Sequence, residues 1–325
     1  MRAPDFWQHD GGIATLLAPV AGLWAVGAAL RARAAHPWRA PVPVLCIGNL
    51  VAGGAGKTPL AIAVARHLSA LGRRPHILSR GYGGRVAGPE RVDPRRHGAA
   101  EVGDEPLLLA AAAPTWVARD RAAAARAAVA AGADMLVLDD GFQNPALVKD
   151  LSVLAIDGGY GFGNRRVMPA GPLREPLAAG LARANAAVII GADRVGATAL
   201  LPARLPVFRA RIVPVPAACD GIAAAPVFAF AGIGRPAKFY ATLAELGCRI
   251  AGTRDFADHH RFTAAEISAI VDEAAKRGAI PVTTEKDAVR LPVEARAMVR
   301  TLPIELEWET PDTLVRLLAP VLADG

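Results

Sequence analysis

The segment Gly53-Gly54-Ala55-Gly56-Lys57-Thr58 constrains what this chain can fold into more than any other. It lies between a short apolar run at 42–47 and a helical stretch at 57–71. A glycine-rich turn that opens a helix aims backbone N–H groups and the positive end of the helix dipole at an anion. The lysine and hydroxyl that end it complete a phosphate cradle of the P-loop kind. Gly53, Gly54, Ala55 and Gly56 wrap the phosphates, Lys57 reaches their β/γ oxygens, and Thr58 can hold Mg²⁺. The pattern departs from G-x-x-x-x-G-K-[ST] at its first position, which is Val51, so the loop entry differs from that of a standard P-loop. Such a loop needs an acid at the end of a neighbouring apolar strand. Met135-Leu136-Val137-Leu138-Asp139-Asp140 supplies it. Asp139 is the expected ligand of Mg²⁺ or of a metal-bound water. Asp140 and Gln143 are candidates to position the nucleophile or a second metal.

The same alternation of strand, turn and helix continues along the chain. Apolar runs at 75–78, 135–138, 151–156 and 187–190 read as strands, and 119–131 as an alanine-rich helix. Strands alternating with helices imply right-handed crossovers and a mainly parallel sheet covered on both faces. Prolines at 202, 206, 214 and 216 bracket an alternating run that reads as an extended connection. A second series follows, with strands at 227–231, 280–283 and 304–308 and helices at 238–246 and 264–276. The expected fold is thus α/β. It has a P-loop NTPase-like domain at 41–205, a linker at 206–216 and a smaller α/β domain at 217–325, preceded at 1–40 by an apolar helix with a basic flank.

That helix is the second unusual feature. Residues 13–30 carry no charge, and Arg31, Arg33 and Arg39 follow. Ile13, Leu16, Leu17, Val20, Leu23, Trp24 and Leu30 recur at helical spacing, with Ala14, Ala18, Ala21, Gly22, Ala25 and Ala28 opposite. An interfacial membrane anchor is the favoured reading, ahead of a buried core helix and a full span, because about 1.5 Å per residue leaves this stretch short of a hydrocarbon core of about 30 Å. Composition supports a folded cytosolic chain: of 325 residues 53% are hydrophobic, and only three are cysteine. His9, His36, His67, His76, His97 and His260 show no metal-ligand spacing, so no zinc is expected. A net charge of +7 suits an anionic surface or a phosphorylated substrate. Nucleic acid is not an expected partner, since aromatics are only 5% and not interleaved with basic residues.

Further blocks carry a resemblance: Ser79-Arg80-Gly81-Tyr82-Gly83, Gly103-Asp104-Glu105-Pro106, Asp139-Asp140-Gly141-Phe142-Gln143, Gly171-Pro172-Leu173-Arg174-Glu175-Pro176, Phe256-Ala257-Asp258-His259-His260 and Thr284-Glu285-Lys286-Asp287-Ala288. With Gly48-Asn49 and the P-loop, in this order and over nearly the whole chain, they resemble the tetraacyldisaccharide 4′-kinases, the lipid A kinases of Gram-negative bacteria. The resemblance implies MgATP-dependent phosphorylation of the 4′-hydroxyl of a tetraacylated glucosamine disaccharide 1-phosphate. The expected place is the cytoplasmic face of the inner membrane, with no obligate protein partner.

It further implies that Asp104 is the catalytic aspartate and His259 its paired histidine. On chemistry alone each has a plain alternative, a helix cap for Asp104 and a surface residue for His259. Among the other polar positions, Glu105 is a candidate support of the metal site. Arg121 contacts phosphate or is a solvated charge at a helix start. Arg174 and Glu175 lie in a proline-flanked loop expected to face the cleft, and Lys286 meets phosphate or caps a turn. The runner-up function is a membrane-tethered P-loop ATPase or GTPase switch, or a metallochaperone-type protein. Against it, Thr284-Glu285-Lys286-Asp287 does not match the Asn/Thr-Lys-x-Asp guanine signature, and no Cys/His pair is present to carry a metal.

Overall fold

Short apolar runs closed by glycine or an acid fold here as buried strands, because a strand covered on both faces is apolar at nearly every position. The computed structural model describes residues 4–322; residues 1–3 and 323–325, the outer ends of the expected first and last regions, lie outside the described residues. In chain order come α1 (Gly12–Leu16), α2 (Ala18–Ala34), β1 (Val44–Gly48), α3 (Lys57–Ala70), β2 (Pro75–Ser79), β3 (Glu90–Arg91), α4 (Ala99–Val102) and α5 (Asp104–Ala110). Then follow β4 (Thr115–Val117), α6 (Arg121–Ala130), β5 (Met135–Asp139), β6 (Leu151–Asp157), α7 (Leu177–Ala182), β7 (Ala186–Ile190) and β8 (Val207–Pro214). The remainder is β9 (Pro226–Ala231), α8 (Pro236–Glu245), β10 (Arg249–Asp255), α9 (Ala264–Lys276), β11 (Ile280–Thr284), α10 (Glu285–Ala288), β12 (Arg300–Leu302), β13 (Ile304–Trp308) and α11 (Thr313–Leu322).

The larger sheet has nine strands in the order β13-β8-β7-β6-β1-β5-β2-β4-β3, parallel except at its two edges, where β13 and β3 run antiparallel. β1 sits in the middle, wholly buried, with β5 on one side and β6 on the other. α3 and α11 cover one face and α6 and α7 the other. The register sets Ile47 beside Asp139, so the P-loop and the acid strand end leave the sheet at the same edge. A second sheet of four parallel strands, β10-β9-β11-β12, has its own apolar layers against α8 and α9.

Two expectations need correction. Residues 206–216 do not form a free linker: β8 pairs parallel with β7 and antiparallel with β13, which places the run inside the larger sheet. The prolines sit at its ends, where a missing N–H breaks no ladder bond. The strand at 304–308 likewise does not close the second series; it returns as β13, with Leu306 and α11 in the core over β1 and α3. The second sheet is therefore built from residues 226–302, tied to the first by β8 and β13.

At the N-terminus, Pro19 opens a new helix, so the expected single helix is two, α1 and α2. The buried-core alternative fails. Leu16 and Leu23 are 79% and 75% exposed, with Ile13, Val20, Trp24 and Leu30 also in solvent, while Ala18, Ala21, Gly22 and Ala25 of α2 line a cavity with Arg166, Val167 and Ala170. Among the described residues no helix is long and apolar enough to cross a membrane, which removes the full-span alternative for this segment.

Candidate active site

The P-loop cradle is built by close packing around β1. A side chain at Gly48 would put its Cβ 2.4 Å from Phe142 Cβ and 3.2 Å from the Phe142 nitrogen, so glycine lets the 139–143 turn lie on the strand end. Gly56 (φ 80°) caps α3, and a Cβ there would meet the Ile190 Cδ1 at 2.5 Å. A Cβ on Gly53 or Gly54 would meet nothing within 4 Å, so the cradle is open on its outer side. The unusual entry has a physical account. Val51 forms an antiparallel bridge with Leu173, the Ala52 N–H donates to the Pro172 carbonyl (2.8 Å) and the Arg174 N–H to the Leu50 carbonyl (2.8 Å). Extended pairing with the 171–176 loop replaces the glycine turn, so a buried valine suits this position.

The acid strand end faces the cradle. Thr58 Oγ1 donates to Asp139 Oδ2 (3.3 Å), while Asp139 Oδ1 is buried and has no partner. Burial, with Glu105 and Asp140 nearby, pushes the Asp139 carboxyl up to about 7. A buried oxygen left unpaired beside a hydroxyl at the mouth of a phosphate cradle is a fit for Mg²⁺, which takes one or two protein oxygens and completes its shell with phosphate and water. Asp140 adopts φ 56° and holds two cations, Arg174 Nη1 at 2.8 Å and Lys57 Nζ at 3.7 Å. Burial alone would raise its carboxyl; Lys57 and Arg174 outweigh that and keep it below the usual range. Lys57 is thus anchored beside the cradle.

Arg121 is not a solvated charge. It is 3% exposed at the first turn of α6, whose N-cap is Asp120, and its Nη1 donates to the Ala118 carbonyl. Burial and the like charge of Arg80 lower it to about 10, and its Nε is buried without a partner. Gln143 donates to the Asn49 carbonyl (2.9 Å) and to Glu175 (3.0 Å), and Glu175 also takes Arg183 at 2.5 Å. Arg174 reaches the acid strand end, whereas Glu175 serves the loop through Gln143 and Arg183.

Asp104 and His259, 155 residues apart, meet across the two sheets: His259 Nδ1 lies 2.9 Å from Asp104 Oδ2. Gly103 is the N-cap of α5, and Asp104 Oδ1 accepts the first-turn Glu105 N–H (2.9 Å), so the carboxylate serves the helix start as well as His259. A Cβ on Gly103 would be 2.6 Å from the Tyr82 carbonyl, and one on Gly81 2.9 Å from that of Val102, so the two loops interlock and set Tyr82 against the His259 ring at 5.4 Å. Burial would raise the Asp104 carboxyl; the hydrogen bond from His259 and the charges of Lys286 and Arg290 hold it below the usual range, and so ionised. Lys286 also pairs with Glu105 at 3.3 Å, and the Glu105 charge lies close enough to the acid strand end to raise the Asp139 carboxyl.

Lys57, Thr58, Asp139, Asp140 and Arg174 thus come together at one edge of the larger sheet, Asp104, Glu105, His259 and Lys286 meet where the second sheet adjoins it, and Gln143 and Glu175 brace the 171–176 loop. Sequence reasoning missed Arg290, a buried cation 3.4 Å from Asp104, and Asn49, whose buried Oδ1 has no partner. Only the Gly48-Asn49 pair next to the P-loop signalled the latter; nothing local marked Arg290.

A cradle of P-loop geometry, an acid strand end beside its hydroxyl and a separate carboxylate–histidine pair define a P-loop phosphotransferase. A family model described as Tetraacyldisaccharide-1-P 4′-kinase matches residues 13–323. The chain belongs to the tetraacyldisaccharide-1-P 4′-kinase family. It is 58% identical to the tetraacyldisaccharide 4′-kinase of Rhodospirillum centenum, over 99% of this chain and 97% of that protein. It is 57% identical to the tetraacyldisaccharide 4′-kinase of Gluconacetobacter diazotrophicus, over 98% and 97%. It resembles the solved structure of LpxK from Aquifex aeolicus, described as a complex with ATP, with a TM-score of 0.76 and 27% identity, over 95% of this chain and 99% of that one.

Proposed function

We propose that this chain transfers the γ-phosphate of MgATP to the 4′-hydroxyl of a tetraacylated glucosamine disaccharide 1-phosphate, a step of lipid A biosynthesis, at the cytoplasmic face of the inner membrane. The observation that carries the reading is the Asp104–His259 pair at 2.9 Å, beside the Lys286–Glu105 ion pair whose carboxylate lies near the acid strand end. Thr58 and Asp139 would hold Mg²⁺, which supplies charge neutralisation at the β- and γ-phosphates. The P-loop amides and Lys57 bind the phosphates. Arg121, with its unpaired Nε, and Arg174 add positive charge where the transferred group carries its negative charge.

A sugar hydroxyl is a weak nucleophile, so its oxygen attacks phosphorus as its proton leaves to a carboxylate. Asp104 accepts that proton and His259 orients the carboxylate. With the hydroxyl oxygen bound to phosphorus, ADP departs. The exposed apolar face of α1 and α2, followed by Arg31, Arg33 and Arg39, suits a helix pair lying in the interface with its arginines at anionic headgroups.

The test is a transfer assay with purified protein, MgATP and the disaccharide 1-phosphate lipid in detergent. Transfer of the γ-phosphate to lipid is the expected result. Nucleotide turnover that ignores the lipid would favour the P-loop switch instead.

A further inference from the structure

We infer that Arg290 is the positioning residue of the acceptor-side pair: one buried guanidinium that fixes His259 and Asp104 relative to each other across the two sheets. The inference rests on the reading of Asp104 as proton acceptor.

Arg290 follows α10, and its side chain is 3% exposed. Four of its five N–H donors have acceptors. Nε donates to the Lys286 carbonyl (3.0 Å), Nη1 to the His260 carbonyl (3.0 Å), and Nη2 to the Gly232 carbonyl (3.0 Å) and to Asp287 Oδ1 (2.7 Å). Nε also faces Asp104 Oδ2 at 3.4 Å. These partners belong to four segments: the exit of β9, the 256–260 turn, α10 and the start of α5. A planar fork with five fixed donors can tie such a set together, whereas a lysine ammonium is a single point.

The way His259 is held makes this matter. Its backbone lies in the left-handed region at φ 60°, a conformation a non-glycine residue keeps only when its surroundings over-determine it. The His259 N–H donates to the Gly232 carbonyl (3.1 Å), the same oxygen that takes Arg290 Nη2. The carbonyl of the next residue, His260, takes Nη1. The guanidinium thus holds the His260 carbonyl directly and the His259 N–H through the shared Gly232 carbonyl. The His260 ring adds to the clamp by pairing with Glu266 (3.0 Å) and stacking on Phe256.

On the other side, Asp104 Oδ2 lies between His259 Nδ1 and Arg290, which leaves Oδ1 with one short-range contact, the Glu105 N–H at 2.9 Å. Oδ1 thus keeps a lone pair with which to take a hydroxyl proton. Asp287, fully buried, offsets the guanidinium charge and takes the Gly232 N–H (3.0 Å), so the clamp is anchored independently of Asp104.

The test uses full-length enzyme in the lipid transfer assay, with Arg290→Met, Arg290→Lys, Arg290→Ala and the reference Asp104→Asn. A displacement of about 1 Å at reacting groups costs on the order of 10²-fold, so the Met and Lys variants should lose turnover on that scale with an unchanged KM for ATP. Guanidinium ion at sub-denaturing concentration should restore part of the activity of Arg290→Ala and none of Asp104→Asn. Wild-type turnover in Arg290→Met, beside an inactive Asp104→Asn, overturns the proposal. So does an Arg290→Ala loss that matches its unfolded fraction and ignores guanidinium. If Met and Ala fail to fold, Arg290→Lys decides: wild-type turnover there overturns it. An Asp104→Asn enzyme that keeps its turnover instead overturns the acceptor reading itself.

Discussion

Asp139→Asn separates the metal-binding role of the acid strand end from its place in the sheet. Without metal, burial with Glu105 and Asp140 alongside pushes the Asp139 carboxyl from 3.8 up to about 7. The folded protein then keeps a proton between about pH 4 and 7 that the unfolded chain has released, so this group makes the folded state less stable as pH rises through that window. The penalty is absent below it and complete above about pH 7. A shift of about 3 pH units at about 1.4 kcal/mol each sets a ceiling of about 4 kcal/mol. Asparagine keeps the shape of the protonated acid and carries no charge, so the variant escapes the penalty. Urea unfolding in chelator at about pH 5 and about pH 8 reads the difference. The expected result is a variant whose advantage over wild type grows from the lower to the higher pH by up to a few kcal/mol. Adding MgATP at the higher pH should reverse the order, because binding to the folded state stabilises it and the wild type alone has the carboxylate ligand. Parallel pH profiles for the two proteins in chelator would refute the buried-acid reasoning, and equal stabilisation by MgATP would refute the metal assignment.

Lys57→Ala or Thr58→Ala should remove most transferase activity, since positioning and charge neutralisation are nearly all this chemistry asks of a protein; near-normal turnover in the lipid assay would sink the P-loop assignment. Gly48→Ala should cost about 1–3 kcal/mol in urea unfolding, because the new Cβ collides with Phe142 Cβ and its backbone nitrogen; an unchanged midpoint would show that the turn gives way freely. Replacing the exposed Leu16, Leu23 and Trp24 together by glutamine should leave the fold intact, as none packs in the core, and move the protein from vesicle-bound to free in a flotation assay. Unchanged flotation would place membrane contact elsewhere.

Much of the architecture was legible in the chain because it depends on neighbours in sequence. Apolar runs at 42–47 and 135–138 read as strands since a doubly covered strand is apolar at nearly every position. Glycines and a lysine at a helix start read as a phosphate cradle since only backbone geometry and one long cation are needed. The ordered blocks named the family. Other features needed the folded chain. β8 looked like a linker because its prolines were visible and its partners, β7 and β13, were not; which strands it joins is decided by sheet order. Val51 looked like a defect in the P-loop until the Leu173 strand supplied its pairing. Arg121 read equally as a phosphate contact or a solvated charge, and only packing against the sheet buries it. Arg290 carried no local signal at all, since its meaning lies in carbonyls at 232, 260 and 286 brought to one point. Local sterics and periodicity are written in adjacent residues; the partner of a buried polar atom is settled by every element packed around it.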